Sequence, residues 1–332
     1  MRDPCLWPDV FYVRPLFFWQ ISGICAPRGA ELVRVEQAEK PYNRIAKHGS
    51  FSVIRLEYLA PPPDLRAYIS TYYLFESDEP HFADIERADV SQLRAFLSGR
   101  GEITFSNGNK CHNFPLSLFG PRMSASSVTL TGPVKLFGVG LLPAGWSALT
   151  KASAASHADT LVDAAIILGV NAVEAMAMLS NLETLAEMAE IMNQIARHFE
   201  SRAEKVPHWF IRAVDEWLEQ RLSPDIVDLE KATGLSRRQI DRMTKQIYGA
   251  SPKLLQRKYR ALRTANAIAS GNGDWQDFID EAYYDQSHCI REIKEFVGIT
   301  PGAIKEHASR LSELTFGRSQ LAGTVAPLSA QT

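Results

Sequence analysis

The chain has 332 residues, 45% of them hydrophobic and 22% charged, with a formal net charge of -2. That profile belongs to soluble globular protein and excludes collagen-like and disordered chains, and the length calls for more than one domain. No run reaches the roughly 18 uninterrupted apolar residues of a membrane span, so no membrane partner is expected.

The four cysteines, Cys5, Cys25, Cys111 and Cys289, are scattered and form no CxxC pair. They suggest neither a disulfide framework nor a zinc site, and they fit a reducing, cytoplasmic setting.

Residues 1–49 read as a weakly structured extension. Its aromatic start, Met1 to Ala26, is broken by Arg14, Pro15 and Gln20, which argues against a signal peptide. Residues 50–157 are β-rich. Phe51 to Leu59 partly alternates before Pro61-Pro62-Pro63, Leu65 to Phe75 is apolar and aromatic, and Ile103-Thr-Phe105 precedes the turn Asn107-Gly108-Asn109. Val128 to Leu130, Gly132-Pro133 and Val134 to Leu142 read as a hairpin. Short strands at this spacing predict a small barrel or sandwich.

From 158 to 203 the period becomes helical. Leu161, Ala164, Ala165 and Leu168 mark one face, and Leu182, Leu185, Met188, Ala189 and Met192 another. This connector either packs on the barrel or offers a dimerisation face.

Residues 204–314 hide a local basic excess inside a near-neutral chain. Between Lys205 and Arg263 there are thirteen Lys or Arg against seven Asp or Glu. Ser223-Pro224, Ser251-Pro252 and Thr300-Pro301 each pair a hydroxyl cap with a proline suited to a first helical turn. Ile226, Val227 and Leu229 open a short helix that Gly234 ends. Ser236 caps the next, whose buried stripe is Ile240, Met243 and Ile247 and whose end is Gly249. Helix, glycine turn and second helix make a helix-turn-helix.

The exposed face of that second helix carries Arg237, Arg238, Gln239, Asp241, Arg242 and Lys245. Arginine suits guanine, glutamine suits adenine and lysine suits phosphate. A solvated charged face is the commoner fate of such a run, and the capped position straight after a glycine turn raises the DNA reading above it. A long helix, Ser251 to Ser270, follows as a connector, with Lys253, Arg257 and Lys258 placed to touch phosphate. A second unit is expected from Trp275 to Ala282 and from Gln286 to Phe296. Cys289, Ile293 and Phe296 face inward there, while Ser287, His288, Ile290, Arg291 and Lys294 are available to DNA. The tail, 315–332, is expected to be disordered.

Together, Leu235 to Met243, Gly249 to Lys253, Tyr283 to Lys294 and Gly298 to Gly302 resemble the AraC-type (AraC/XylS) DNA-binding domain. The resemblance covers about a third of the chain. It implies a seven-helix domain whose two recognition helices enter successive major-groove segments. Arg238, Asp241 and Arg242 would lie nearest the bases in the first helix, and Gln286, Ser287, His288, Ile290 and Arg291 in the second. Three positions depart from the pattern: Glu230, where a small residue is usual, Ala282 for glycine, and Cys289 for an aromatic residue. More loosely, Leu65 to Phe75, Leu118 to Pro121 and Phe137 to Pro143, within Pro63 to about Val170, resemble the barrel-like (cupin-like) domain of some such regulators, which implies a sensing or oligomerising role.

The fold class expected is therefore α+β: a β-barrel-like N-terminal domain, a helical connector and an all-α domain with two helix-turn-helix units. The function expected is sequence-specific regulation of transcription, activating or repressing. The partners expected are double-stranded DNA, a small effector, RNA polymerase and a second copy of the chain. Gly138-Val-Gly140 lacks the third glycine of a dinucleotide loop, no HExxH or GxSxG motif occurs, and Cys111-His112 has no metal partners nearby in sequence. No catalytic residue, metal or cofactor is assigned. The alternatives are a cupin-like enzyme fused to a DNA-binding domain, for which His112 stands alone, and an architectural DNA binder that needs no effector.

Overall fold

The sheet is buried on both faces, so an inner strand carries β-formers in an unbroken run. A computed structural model describes residues 32–38, 53–202, 206–271, 282–306 and 309–331. Among the described residues nine strands form one antiparallel sheet: β1 (Leu32–Ala38), β2 (Val53–Leu59), β3 (Ile69–Ser77), β4 (His81–Glu86), β5 (Ser91–Thr104), β6 (Lys110–His112), β7 (Leu116–Phe119), β8 (Ser126–Leu141) and β9 (Leu161–Asp163). The order is β1-β2-β3-β8-β5-β7-β9, with β4 pairing β8 and β6 pairing β5. In β3, Tyr72 and Leu74 join one apolar cluster while Tyr73 and Phe75 join another. That double burial is why its sequence reads as a continuous apolar run.

Four expectations for this half need correction. Gly132-Pro133 does not turn a hairpin: β8 runs straight through it. Before the dipeptide β8 pairs β4 and the end of β5, and after it β3 and the start of β5. The β5–β8 register shifts twice, at Phe96/Ser98 and at Ser98/Arg100, so glycine and proline mark a corner where the sheet curls. Leu161 begins no helix, because β9 pairs with β7. The stretch 1–49 supplies an edge strand, β1, paired along its whole length with β2; the remainder of it lies outside the described residues. Cys111 is disulfide-bonded rather than a thiol, whereas Cys289 is free and buried.

The helices begin with α1 (Pro143–Thr150), α2 (Ala164–Leu168), α3 (Ala172–Ser180) and α4 (Leu185–Arg202). Leu185, Met188, Ala189 and Met192 of α4 are buried against Tyr72, Leu74 and Phe137, so this helix packs on the sheet. The helical half contains α5 (His208–Gln220), α6 (Ile226–Thr233), α7 (Arg237–Tyr248), α8 (Pro252–Ala269), α9 (Gln286–Val297), α10 (Pro301–Lys305) and α11 (Arg310–Phe316). The first helix expected for the second unit, Trp275 to Ala282, lies outside the described residues but for Ala282. No helix of the described residues is long and apolar enough to cross a membrane.

The tail after α11 is ordered, against expectation. Two 3-10 turns, Gly317–Leu321 and Pro327–Gln331, carry it back over the sheet. Leu321, Val325 and Ala330 are buried with Tyr58, Phe75 and Phe82. Each apolar residue of the tail stands alone among polar and small ones, so composition conceals a segment that the sheet's second face orders.

Candidate nucleic-acid interface

The first helix-turn-helix is α6 and α7. Asp225 caps α6, accepting the Val227 N–H at 2.9 Å, two residues beyond the Ser223-Pro224 start expected. Ser223 does not serve, because its Oγ accepts from Arg260 at 2.6 Å. Gly234 ends α6 in the left-handed region, with φ of 66°. Gln239 Oε1 accepts the Ser236 N–H at 3.0 Å and its hydroxyl at 2.8 Å, so the oxygen of this exposed side chain is engaged at the helix start.

Along α7, Ile240, Thr244, Ile247 and Tyr248 are buried, and Arg237, Arg238, Arg242 and Lys245 are exposed. Met243, expected in the buried stripe, is half-buried. Arg237 pairs with Glu230 at 3.0 Å, and Lys245 with Asp241 at 2.8 Å. Arg238 and Arg242, one turn apart, make no ion pair among the described residues.

The basic side chains of α8 separate into different roles. Lys253 is exposed beside the Ser251 cap, whose Oγ accepts the Leu254 N–H at 3.3 Å. Arg257 instead turns toward α9, pairing with Glu292 at 2.6 Å and Glu295 at 2.5 Å over the Phe296 ring. Lys258, expected to touch phosphate, is 2% exposed, and burial pushes its amine down to about 8. The period that sets Lys253 outward turns Lys258 inward, against the β half.

In the second unit Asp285 caps α9, accepting the His288 N–H at 2.7 Å. Gln286, Ser287, Arg291 and Lys294 are exposed, and Ile290 is half-exposed. His288 is held on both sides: the Tyr284 N–H donates to its Nδ1 at 3.3 Å, and its Nε2 lies 3.2 Å from Glu292. Arg291 Nε donates to the Ser287 carbonyl at 3.2 Å. Cys289, Ile293 and Phe296 are buried as their spacing predicts, and burial pushes the Cys289 thiol up to about 11.

Two features were missed in the sequence. Glu292 is 1% exposed and gathers Arg257, Arg260 and His288 around one carboxylate. The spacing of His288 and Glu292 was a usable signal for it, whereas the two arginines lie more than thirty positions away. Tyr284 is 92% exposed beside the start of α9, and only the doublet Tyr283-Tyr284 hinted at it.

The β half grips the far ends of both exposed helices. The Glu295 and Phe296 carbonyls of α9 accept the N–H groups of Ala125 (2.9 Å) and Ala88 (2.7 Å), satisfying groups that a helix end leaves open. Gly249, ending α7, lies against Pro121 and Met123, and Gly298, ending α9, against Ile85 and Ala125. Inside the helical half, the Tyr248 hydroxyl donates to Asp215 at 2.8 Å, joining α7 to α5. Burial pushes the Asp215 carboxyl up to about 7.

Residues 57–163 match a family model described as Domain of unknown function (DUF6597). No curated protein matches. Among solved structures, an apo form of ToxT from Vibrio cholerae is similar at 8% identity and a TM-score of 0.41, covering 70% of this chain and 98% of that one. An unsaturated fatty acid-bound form of ToxT from the same organism is similar at 7% identity and 0.39, covering 67% and 93%. The AraC-like transcriptional activator CuxR is similar at 11% identity and 0.29, covering 69% and 83%. At such TM-scores none of these likenesses fixes the fold or the function of this chain.

Proposed function

We propose that this chain is a sequence-specific DNA-binding regulator of transcription, of the AraC type, reading successive major-groove segments with α7 and α9. One observation carries the reading. After a left-handed glycine turn and a capped start, α7 presents Arg238 and Arg242 one turn apart to solvent while its opposite face is buried. Guanidiniums so placed can reach base edges together. Exposed Lys245, Lys253, Lys294 and Arg291 suit the phosphate backbone, which supplies most of the affinity and makes it salt-dependent.

We assign sensing of a small effector to the β half and read the protein as non-enzymatic, acting in the cytoplasm where its DNA is. Contacts with RNA polymerase and pairing with a second copy belong to the same reading. Selection of bound duplexes from a random pool tests it. A defined motif should emerge from the full chain and fade with Arg242→Ala. Sequences no different from the starting pool would sink it.

A further inference from the structure

The doublet Tyr283-Tyr284 divides its two rings between opposite environments. Tyr283 is 7% exposed; its hydroxyl lies 3.1 Å from Thr264 Oγ1, and the Arg260 guanidinium covers its ring. Tyr284 is 92% exposed although its backbone is pinned. Its N–H donates to His288 Nδ1 at 3.3 Å. An amide N–H only donates, so Nδ1 is the bare nitrogen of that imidazole, and Nε2 carries the proton toward Glu292, 3.2 Å away. Glu292 is 1% exposed and is fixed in turn by Arg257 and Arg260, each at 2.6 Å. One residue beyond Tyr284, the Asp285 carboxylate accepts the His288 N–H at 2.7 Å and so is spent on the start of α9. A chain of bonds anchored in the core thus holds an aromatic ring out in water.

Packing gives no reason for that ring to be outside. Tyr284 precedes the cap of α9, a position from which an apolar side chain often packs on the fourth helical residue. That residue, Cys289, is 0% exposed in the cluster that contains Tyr283, so its cover is already supplied. Gln286, Ser287 and Arg291, on the first two turns of α9, are exposed beside Tyr284. A tyrosine offers a broad apolar face with a polar tip, and its two side-chain torsions leave little entropy to lose on contact.

We propose that Tyr284 is a DNA contact, its ring against a deoxyribose at the edge of the groove that α9 enters and its hydroxyl donating to the adjoining phosphate. His288 is the positioning residue that aims it. The proposal rests on the DNA reading above and adds to it a contact made by a neutral side chain. Such a contact fixes the register of α9 on the duplex and carries no base preference. It displaces no counterion, which separates it from the phosphate contacts of Arg291 and Lys294.

The test uses the full chain and the tightest duplex it selects from a random pool. Tyr284→Phe should weaken binding about ten-fold, the loss of one hydrogen bond to a charged acceptor, and Tyr284→Ala should weaken it further. Both losses should be equal on every single-base variant of that duplex, with the salt slope and the unfolding midpoint unchanged. His288→Ala should weaken binding of the unmodified chain and add nothing to Tyr284→Ala, a coupling that general loosening of α9 would not produce. Parental affinity in Tyr284→Ala, or a loss confined to one base pair, overturns the proposal and leaves the DNA reading standing. Additive losses overturn the role of His288. A full chain that selects no motif overturns both the proposal and the reading beneath it.

Discussion

The Nζ of Lys258, on α8, donates to the carbonyl oxygen of Asp89, in the loop before β5, at 2.7 Å. A second bond, to the Arg122 carbonyl at 2.9 Å, completes a buried clasp between the halves. Removing it leaves the buried Arg122 carbonyl unmet, while the Asp89 carbonyl keeps only the Arg122 N–H at 3.1 Å. Lys258→Met should therefore cost about 1–3 kcal/mol in denaturant unfolding. The slope of DNA affinity against salt should stay as it is, since a buried amine neutralises no phosphate. A slope reduced by one unit would return Lys258 to the DNA surface.

A pair of glycines separates backbone strain from contact with the β half. Gly234 has φ of 66° and a Cβ there would meet open space, so Gly234→Ala should cost only the left-handed penalty, about 1–2 kcal/mol. Gly298 has φ of 89°, and a Cβ there would lie 2.2 Å from Ile85 Cγ2. Gly298→Ala should be clearly the more destabilising of the two. Trimming the neighbour with Ile85→Ala, which removes Cγ2, should recover part of the difference. Equal melting temperatures for the two alanine variants would deny the contact.

Asp215 makes the helical half sensitive to pH. Its folded carboxyl titrates near 7, above the ordinary 3.8, so between those values the native state holds a proton that the unfolded chain has released. Stability from this group is thus fullest below about pH 4, falls as pH rises toward 7, and then levels off. Asp215→Asn keeps an acceptor for Tyr248 and removes the charge. It should flatten this slope and make the protein more stable at pH 8, by on the order of 1 kcal/mol. Unfolding midpoints from pH 5 to 8 would check it, and parallel profiles for the two proteins would count against it.

Much of the helical half was legible because its signals are local. Gly234, Gly249 and Gly298 all adopt positive φ at helix ends, and Ser251 and Thr300 both cap as read. What escaped depends on distant partners. Whether Ser223 caps a helix was decided by Arg260, which takes its hydroxyl from 37 positions away. Lys258 carries the same charge as Lys253, and only the position of Asp89 and Arg122 turns it from surface to clasp. The tail failed for the same reason: Leu321 and Val325 have no periodic company, and the face that buries them lies in β2 and β3. Of the interface, the residue types and the exposed face were readable, while the engagement of Gln239, Arg257 and His288 by neighbours was not.

Those engagements divide the basic residues of α8. Arg257 pairs with Glu292 and Glu295, so Arg257→Ala should lower stability and leave the salt slope nearly unchanged. Lys253→Ala should do the reverse, reducing the slope by about one unit with little effect on unfolding. Glu292→Ala strands buried Arg260 and should be the most damaging of the three, by about 3–5 kcal/mol. Titrations at several salt concentrations, set beside denaturation curves, would expose any exchange of these roles.

The two exposed helices should read DNA unequally. On α7, Arg238 and Arg242 face solvent without ion pairs among the described residues, whereas on α9 Arg291 folds back onto the Ser287 carbonyl and His288 is held by Glu292. An arginine free to extend can grip a guanine edge, and one tethered to its own helix is better placed for a phosphate. Arg238→Ala or Arg242→Ala should cost about 1–3 kcal/mol of affinity and relax preference at one base position. Arg291→Ala should cost less, and alike on every sequence. Gln239→Ala should loosen the start of α7 without changing which base is preferred, because its side-chain oxygen is turned to Ser236. Affinities on a panel of single-base operator variants decide the ranking. A base-specific loss with Arg291→Ala and none with Arg242→Ala would reverse it.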